Sequence, residues 1–132
     1  MCIVRNEGKP DIFVTFTCNT MWPEIQESLF AGESAFDRPD LCARIFKIKS
    51  DSLVNDIVKN GLFGLTAAYV YTIEWQKRKG LPHMHLLITL HPDSKVLDPA
   101  DIDKFISAEI PDPVNNPRLY QAVMNLPFVY RV

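Results

Sequence analysis

His83 and His85 stand two residues apart within the apolar run Leu81-Pro82-His83-Met84-His85-Leu86-Leu87-Ile88. A β-strand alternates its side chains with a period of two, so the two imidazoles face one way and Met84 and Leu86 the other. Two imidazoles on one face of a rigid strand make half of a divalent-metal site. The plainer alternative is a pair of polar residues at the wet end of an ordinary strand, because His-x-His alone is a short motif. An oxygen donor stands close upstream. Glu74 and Gln76 share one face of the run Tyr69-Val70-Tyr71-Thr72-Ile73-Glu74-Trp75-Gln76, and across a hairpin that face can meet the histidines. Glu74 brings charge, and a carboxylate binds Mg²⁺ or Mn²⁺ more strongly than an amide does; Gln76 lies closer in sequence. Imidazole mixed with oxygen suits Mg²⁺ or Mn²⁺ better than a closed structural zinc site, which normally uses cysteines.

These residues need a scaffold. Residues 65–75 and 83–90 are rich in aromatic and β-branched types and read as a hairpin, joined by the basic turn Lys77-Arg78-Lys79-Gly80. Residues 11–17 (Asp-Ile-Phe-Val-Thr-Phe-Thr) read as a buried central strand. Pro23 opens a short helix through Phe30, and residues 32–39 form a loop. Between Asp40 and Asn60, Leu41, Ile45, Phe46, Leu53, Val54, Ile57 and Val58 recur at helical spacing. They predict an amphipathic helix, broken near Ser50-Asp51-Ser52 and capped by Gly61. Pro92 ends the hairpin, Pro99 opens a helix through Ala108 with Asp98 as its N-cap, and a last helix runs from about Arg118 to Asn125. The order β, α, α, β, β, α, α does not alternate as a doubly wound sheet would. It predicts an α+β fold, a central antiparallel sheet flanked by helices.

With 132 residues the chain is read as one domain. Its net charge of −2 argues against nucleic-acid binding by bulk electrostatics but leaves room for a local basic patch. Lys77, Arg78 and Lys79 are the first candidate, Lys47 and Lys49 the second; a solvated turn is the bland reading of the former. Cys2, Cys18 and Cys42 show no CxxC spacing and point to reduced thiols inside the cell, with Cys18 closing a strand and Cys42 packing a helix. No run is long and apolar enough to span a membrane.

The His-hydrophobic-His signature, preceded by a strand carrying an acidic or amide residue, resembles motif 2 of the HUH endonucleases. The longer string from Glu74 to His85 resembles the Helitron branch of that superfamily. So does Gly8-Lys9-Pro10-Asp11-Ile12-Phe13-Val14-Thr15-Phe16-Thr17-Cys18-Asn19 with Trp22-Pro23-Glu24-Ile25, and so does Asn116-Pro117-Arg118-Leu119-Tyr120. The resemblance implies the helicase-like N-terminal, or Rep, domain of a rolling-circle transposon protein. Its sheet carries the two histidines on a middle strand, with strand 11–17 beside it and Thr15, Thr17 and Asn19 near DNA. It further implies a divalent ion, Mg²⁺ or Mn²⁺, on His83, His85 and a third ligand, acting on single-stranded DNA. The site of action would be inside the cell, in the nucleus.

In the family a tyrosine on a later helix attacks the phosphate and forms a 5′-phosphotyrosine. Those tyrosines lie downstream of the Asn-Pro-x-Leu-Tyr block. Tyr69 and Tyr71 fall on a strand, Tyr120 is expected in the core of a short helix, and Tyr130 lies in a tail that departs from the family pattern. The chain has no G-x-x-x-x-G-K-[ST] run, so the helicase that accompanies the domain in the family is absent from it. The expectation is a truncated domain, incomplete at the C-terminus and also at the N-terminus, without its nucleophile. Two other readings stand beside it: a catalytically inactive single-stranded-DNA-binding module that keeps the metal site, and an unrelated small α+β domain whose histidines are structural.

Overall fold

The computed structural model describes residues 5–6, 8–77, 80–95, 99–106 and 109–125. The chain divides into two compact units, Met1–Lys95 and Val96–Val132.

In the first unit, strands β1 (Ile12–Thr17), β2 (Thr66–Trp75) and β3 (Pro82–Leu90) form an antiparallel sheet in the order β1-β3-β2. The expected α+β class is borne out, and β3 is the middle strand. Residues 11–17 are a correction. Among the described residues β1 is an edge of this sheet, and its residues are half-buried or exposed. The covered face holds Ile12, Val14 and Phe16 of β1 with Met84, Leu86 and Ile88 of β3, the last three fully buried.

The cover is a helix. α1 (Pro23–Gln26) is a single turn that stops short of Phe30, and a 3-10 turn at Ala35–Asp37 interrupts the expected loop. α2 (Pro39–Val58) starts with proline at its first position, where the missing N–H costs nothing. It runs unbroken for 20 residues, against the expected break at residues 50–52. Ser50 explains the continuity. Its side chain falls on the buried stripe with Cys42, Phe46 and Ile57, and its hydroxyl donates to the carbonyl of Lys47 at 3.1 Å. A small residue with its polar group satisfied one turn back fits where a larger polar one would not. The Phe46 ring stacks on Phe16 at 5.4 Å, joining helix to sheet. Gly61 has φ +65°, as the expected C-cap requires.

Register decides which side chains share a face, since a slip of one residue would exchange the faces. It is pinned at both ends of β3. Asp11 donates its N–H to Ile88 O, and its carboxylate accepts from the N–H of Leu90, each at 2.8 Å. At the other end Cys18 N–H donates to Pro82 O at 3.0 Å. The β2–β3 turn closes through Gln76 N–H to Leu81 O and Gly80 N–H to Gln76 O, with Gly80 at φ +62°.

In the second unit, α3 (Pro99–Phe105) ends before the expected Ala108, and α4 (Pro117–Met124) matches the expected last helix within a residue. Asp98, Ala108 and Tyr130 lie outside the described residues. α4 has no buried residue: Tyr120 and Val123 are half-buried, Leu119 and Met124 exposed. This corrects the core role expected of Tyr120. The described residues of this unit include no buried side chain, so there is no core among them for it to join.

Candidate functional site

The sheet face turned away from α2 carries the chemistry. Pairing aligns three rows across it: Thr17, His83 and Glu74; Thr15, His85 and Thr72; Phe13, Leu87 and Val70. His83 and His85 are neighbours on this face, both half-buried, with ring centroids 4.5 Å apart and planes at 76°. Each ring has a different support. His83 Nδ1 lies 2.5 Å from Thr17 Oγ1. His85 stacks on Phe13 at 5.7 Å with planes within 12°, and its Nε2 is 3.6 Å from Glu74 Oε2.

Burial pushes the pKa of His83 below its ordinary value. The neighbouring His85 adds to the shift, and Glu74 opposes it. A proton on this ring would lose solvation and face a second imidazole, so the neutral form is favoured. The neutral form is also the one that can ligate a metal. The two imidazoles therefore fit as a pair of donors. A third donor is not assembled around them: among the described residues, no group of three or more His, Cys, Asp or Glu side chains is arranged to hold an ion. Glu74, on the row of His83 and within reach of His85, is the carboxylate at hand.

The other expected residues distribute as follows. Gln76 lies just beyond the last paired residue of β2, and its backbone forms the hairpin turn. Lys77 is exposed in that turn, while Arg78 and Lys79 lie outside the described residues. Thr15 and Thr17 line the histidine face. Asn19 lies past the end of β1, where its side chain accepts the N–H of Met21 at 2.9 Å, an ordinary turn role. Lys47 and Lys49 are committed to carboxylates: Lys47 to Asp51 on its own helix, and Lys49 to Glu24 at 2.8 Å while its amine sits 5.0 Å over the Trp22 ring. Tyr69 and Tyr71 pair with Ile88 and Leu86, so both belong to the helix-covered side of the sheet. There they line a groove of about 260 Å³ with Val54 and Val58 of α2. Cys18 and Cys42 are buried free thiols in the core, as expected, and Cys2 lies outside the described residues.

Sequence reading missed Phe13 and Thr72, although the signal was present. Stepping by two from Thr15 reaches Phe13, and stepping by two from Glu74 reaches Thr72. Among the described residues, no helix is long and apolar enough to cross a membrane.

A search of curated proteins finds no match to the chain. The family model of the Helitron helicase-like domain at the N-terminus matches residues 1–88, a span that contains α2, all of β1 and β2, and both histidines of β3. With that match extending over more than half of its 132 residues, the chain belongs to the Helitron helicase-like N-terminal domain family.

Proposed function

We propose that this chain carries the metal-dependent, single-stranded-DNA-handling face of a Helitron rolling-circle transposase, a nicking and strand-transfer domain of the HUH endonuclease type. The observation that carries the reading is the pair of imidazoles side by side on the open face of the middle strand. His83 and His85 would hold the ion, with Glu74 as the nearest carboxylate. When bound, Mg²⁺ or Mn²⁺ supplies Lewis-acid stabilisation of charge at a phosphate. The protein's own part is to favour the neutral form of His83, to hold both rings in place, and to lay the DNA strand across a face edged by Thr15 and Thr17. Lys77 in the adjoining turn offers a phosphate contact, and Arg78 and Lys79 follow it directly in the sequence.

Neither tyrosine of β2 shares the histidine face. That favours a second reading of the isolated chain, a binding module without its own nucleophile. A metal can polarise a phosphate, but strand transfer also needs an oxygen nucleophile held in line.

One experiment addresses both readings. Labelled single-stranded oligonucleotides are titrated with and without Mn²⁺, then resolved by denaturing electrophoresis. Binding is expected to depend on Mn²⁺ and to be lost in the His83→Ala/His85→Ala double variant, with no denaturation-resistant band. Such a band, if it vanished in Tyr120→Phe, would instead make the chain a complete nuclease. Binding that ignored both Mn²⁺ and the double variant would sink the metal-dependent reading. Neutralising Lys77, Arg78 and Lys79 together is expected to weaken binding and to remove a log–log salt slope of only about −2, the value for three phosphate contacts on a single strand.

A further inference from the structure

We propose that Thr17 is a positioning residue for His83. Its hydroxyl accepts the Nδ1 proton and so holds the ring in the tautomer whose Nε2 lone pair is free. The inference deepens the reading of His83 as a metal donor and rests on that reading for its functional consequence.

Thr17 and His83 are direct cross-strand partners, 66 positions apart in sequence, and the contact at 2.5 Å runs from the hydroxyl to Nδ1. Both residues lie on paired backbone, and Cys18 N–H to Pro82 O locks the adjacent position. Threonine is branched at Cβ, so its χ1 is restricted and the hydroxyl is presented in few directions. Such a contact is stiff at both ends.

A neutral imidazole carries one proton on either of two nitrogens, and the hydrogen bond made by one nitrogen sets the role of the other. A hydroxyl can donate or accept. If Thr17 accepts, the proton sits on Nδ1 and the Nε2 lone pair is available on the open face. If Thr17 donates, Nε2 carries the proton and cannot ligate. Histidines that hold metals characteristically give their other N–H to an oxygen acceptor, and Thr17 is the oxygen in contact with this ring. His85 is oriented by other means, the Phe13 stack and Glu74. The two imidazoles should therefore respond independently to a change at Thr17.

The test uses the full chain, free of metal, at about pH 7.5, where an unperturbed histidine is mostly neutral. Nitrogen-15 correlation spectra of the imidazoles report which nitrogen carries the proton. The expected result is protonated Nδ1 on His83 in the wild type, loss of that preference in Thr17→Val, and its return in Thr17→Ser, with His85 unchanged throughout. Calorimetry with Mn²⁺ should show affinity lowered about tenfold in Thr17→Val, the scale of outer-shell effects on bound metals, and restored by Thr17→Ser. A wild-type spectrum with the proton on Nε2 of His83 overturns the proposal without any variant. So does a folded Thr17→Val with tautomer and Mn²⁺ affinity both unaltered. If the wild type binds Mn²⁺ no better than the His83→Ala/His85→Ala variant, the metal reading fails, and the spectra alone decide the role of Thr17.

Discussion

Around the histidines, the two faces of β3 differ in burial and in the partners they meet. Met84, Leu86 and Ile88 are fully buried against the helical layer. His83 and His85, interleaved with them, are half-buried on the open side and meet polar or aromatic partners from both neighbouring strands. The apolar face supplies the burial that makes the strand rigid, and the rigidity holds the imidazoles at a set spacing. A site built this way can be altered without unfolding its support, provided that the substitution stays on its own face.

The largest expected effect separates the faces outright. Leu86→Ala should destabilise the protein by about 2–5 kcal/mol, the range for a fully buried leucine. The His83→Ala/His85→Ala variant should cost roughly 1 kcal/mol or less, as for partly exposed positions. Urea unfolding curves of both variants make the comparison, and equal losses of stability would show that the histidines also belong to the core.

Next comes the choice of oxygen donor. Glu74→Gln is expected to weaken Mn²⁺ binding several-fold, and Gln76→Ala to leave it nearly unchanged, because a carboxylate is the stronger ligand for a hard cation. Glu74 also shares a row with His83, whereas Gln76 lies past the paired residues. Calorimetry giving the reverse order would assign the third position to Gln76.

Acid should then act on the site face before the core. The folded pKa of His83 is lowered by burial and by His85. Between that lowered value and about 6.5, the unfolded chain binds more protons than the folded one. Stability should therefore fall as pH drops below about 6.5 and go on falling through the folded pKa, while His83 contributes no slope above 6.5. Urea midpoints measured across this window in metal-free buffer should show the slope, and His83→Gln should reduce it.

The smallest effect tests the core side. Burial, reinforced by the neighbouring Cys42, pushes the Cys18 thiol up to about 12, and burial also raises Cys42. Reaction needs the thiolate and access to it. Alkylation of both by iodoacetamide at about pH 8 should be slow in the native protein and fast in urea. Fast native labelling of either would mean that the core face opens on its own.

Local pattern made much of this legible. Period-two alternation is a property of the extended backbone, so His83 and His85 had to share a face once residues 82–90 were a strand. The basic segment and Gly80 made β2 its neighbour, and whether Glu74 or Gln76 sat opposite the histidines depended on the turn geometry, which the structure settles for Glu74. The helical stripe was readable too, except at Ser50. There hydropathy says polar, whereas the structure buries a small hydroxyl bonded to Lys47 O. The central position expected of β1 failed because an apolar strand with one covered face at a sheet edge has much the same composition as a middle strand. The core role expected of Tyr120 failed because helical spacing shows which residues share a face, not whether anything covers it.

By itself, then, the sequence determined the strand that bears the two imidazoles, their common face, the hairpin that brings Glu74 near and the family to which the chain belongs. These depend on residue type, covalent neighbourhood and backbone period, all local. The family resemblance already implied that strand 11–17 lies beside the histidine strand; only the tertiary structure decided its register, Thr17 to His83. That register rests on Asp11 reaching Leu90 and on Cys18 reaching Pro82, contacts between positions far apart in the chain. It sets Thr17 on one imidazole and Phe13 on the other. No local pattern encodes that pairing, because the contacts that fix it join positions far apart in the chain.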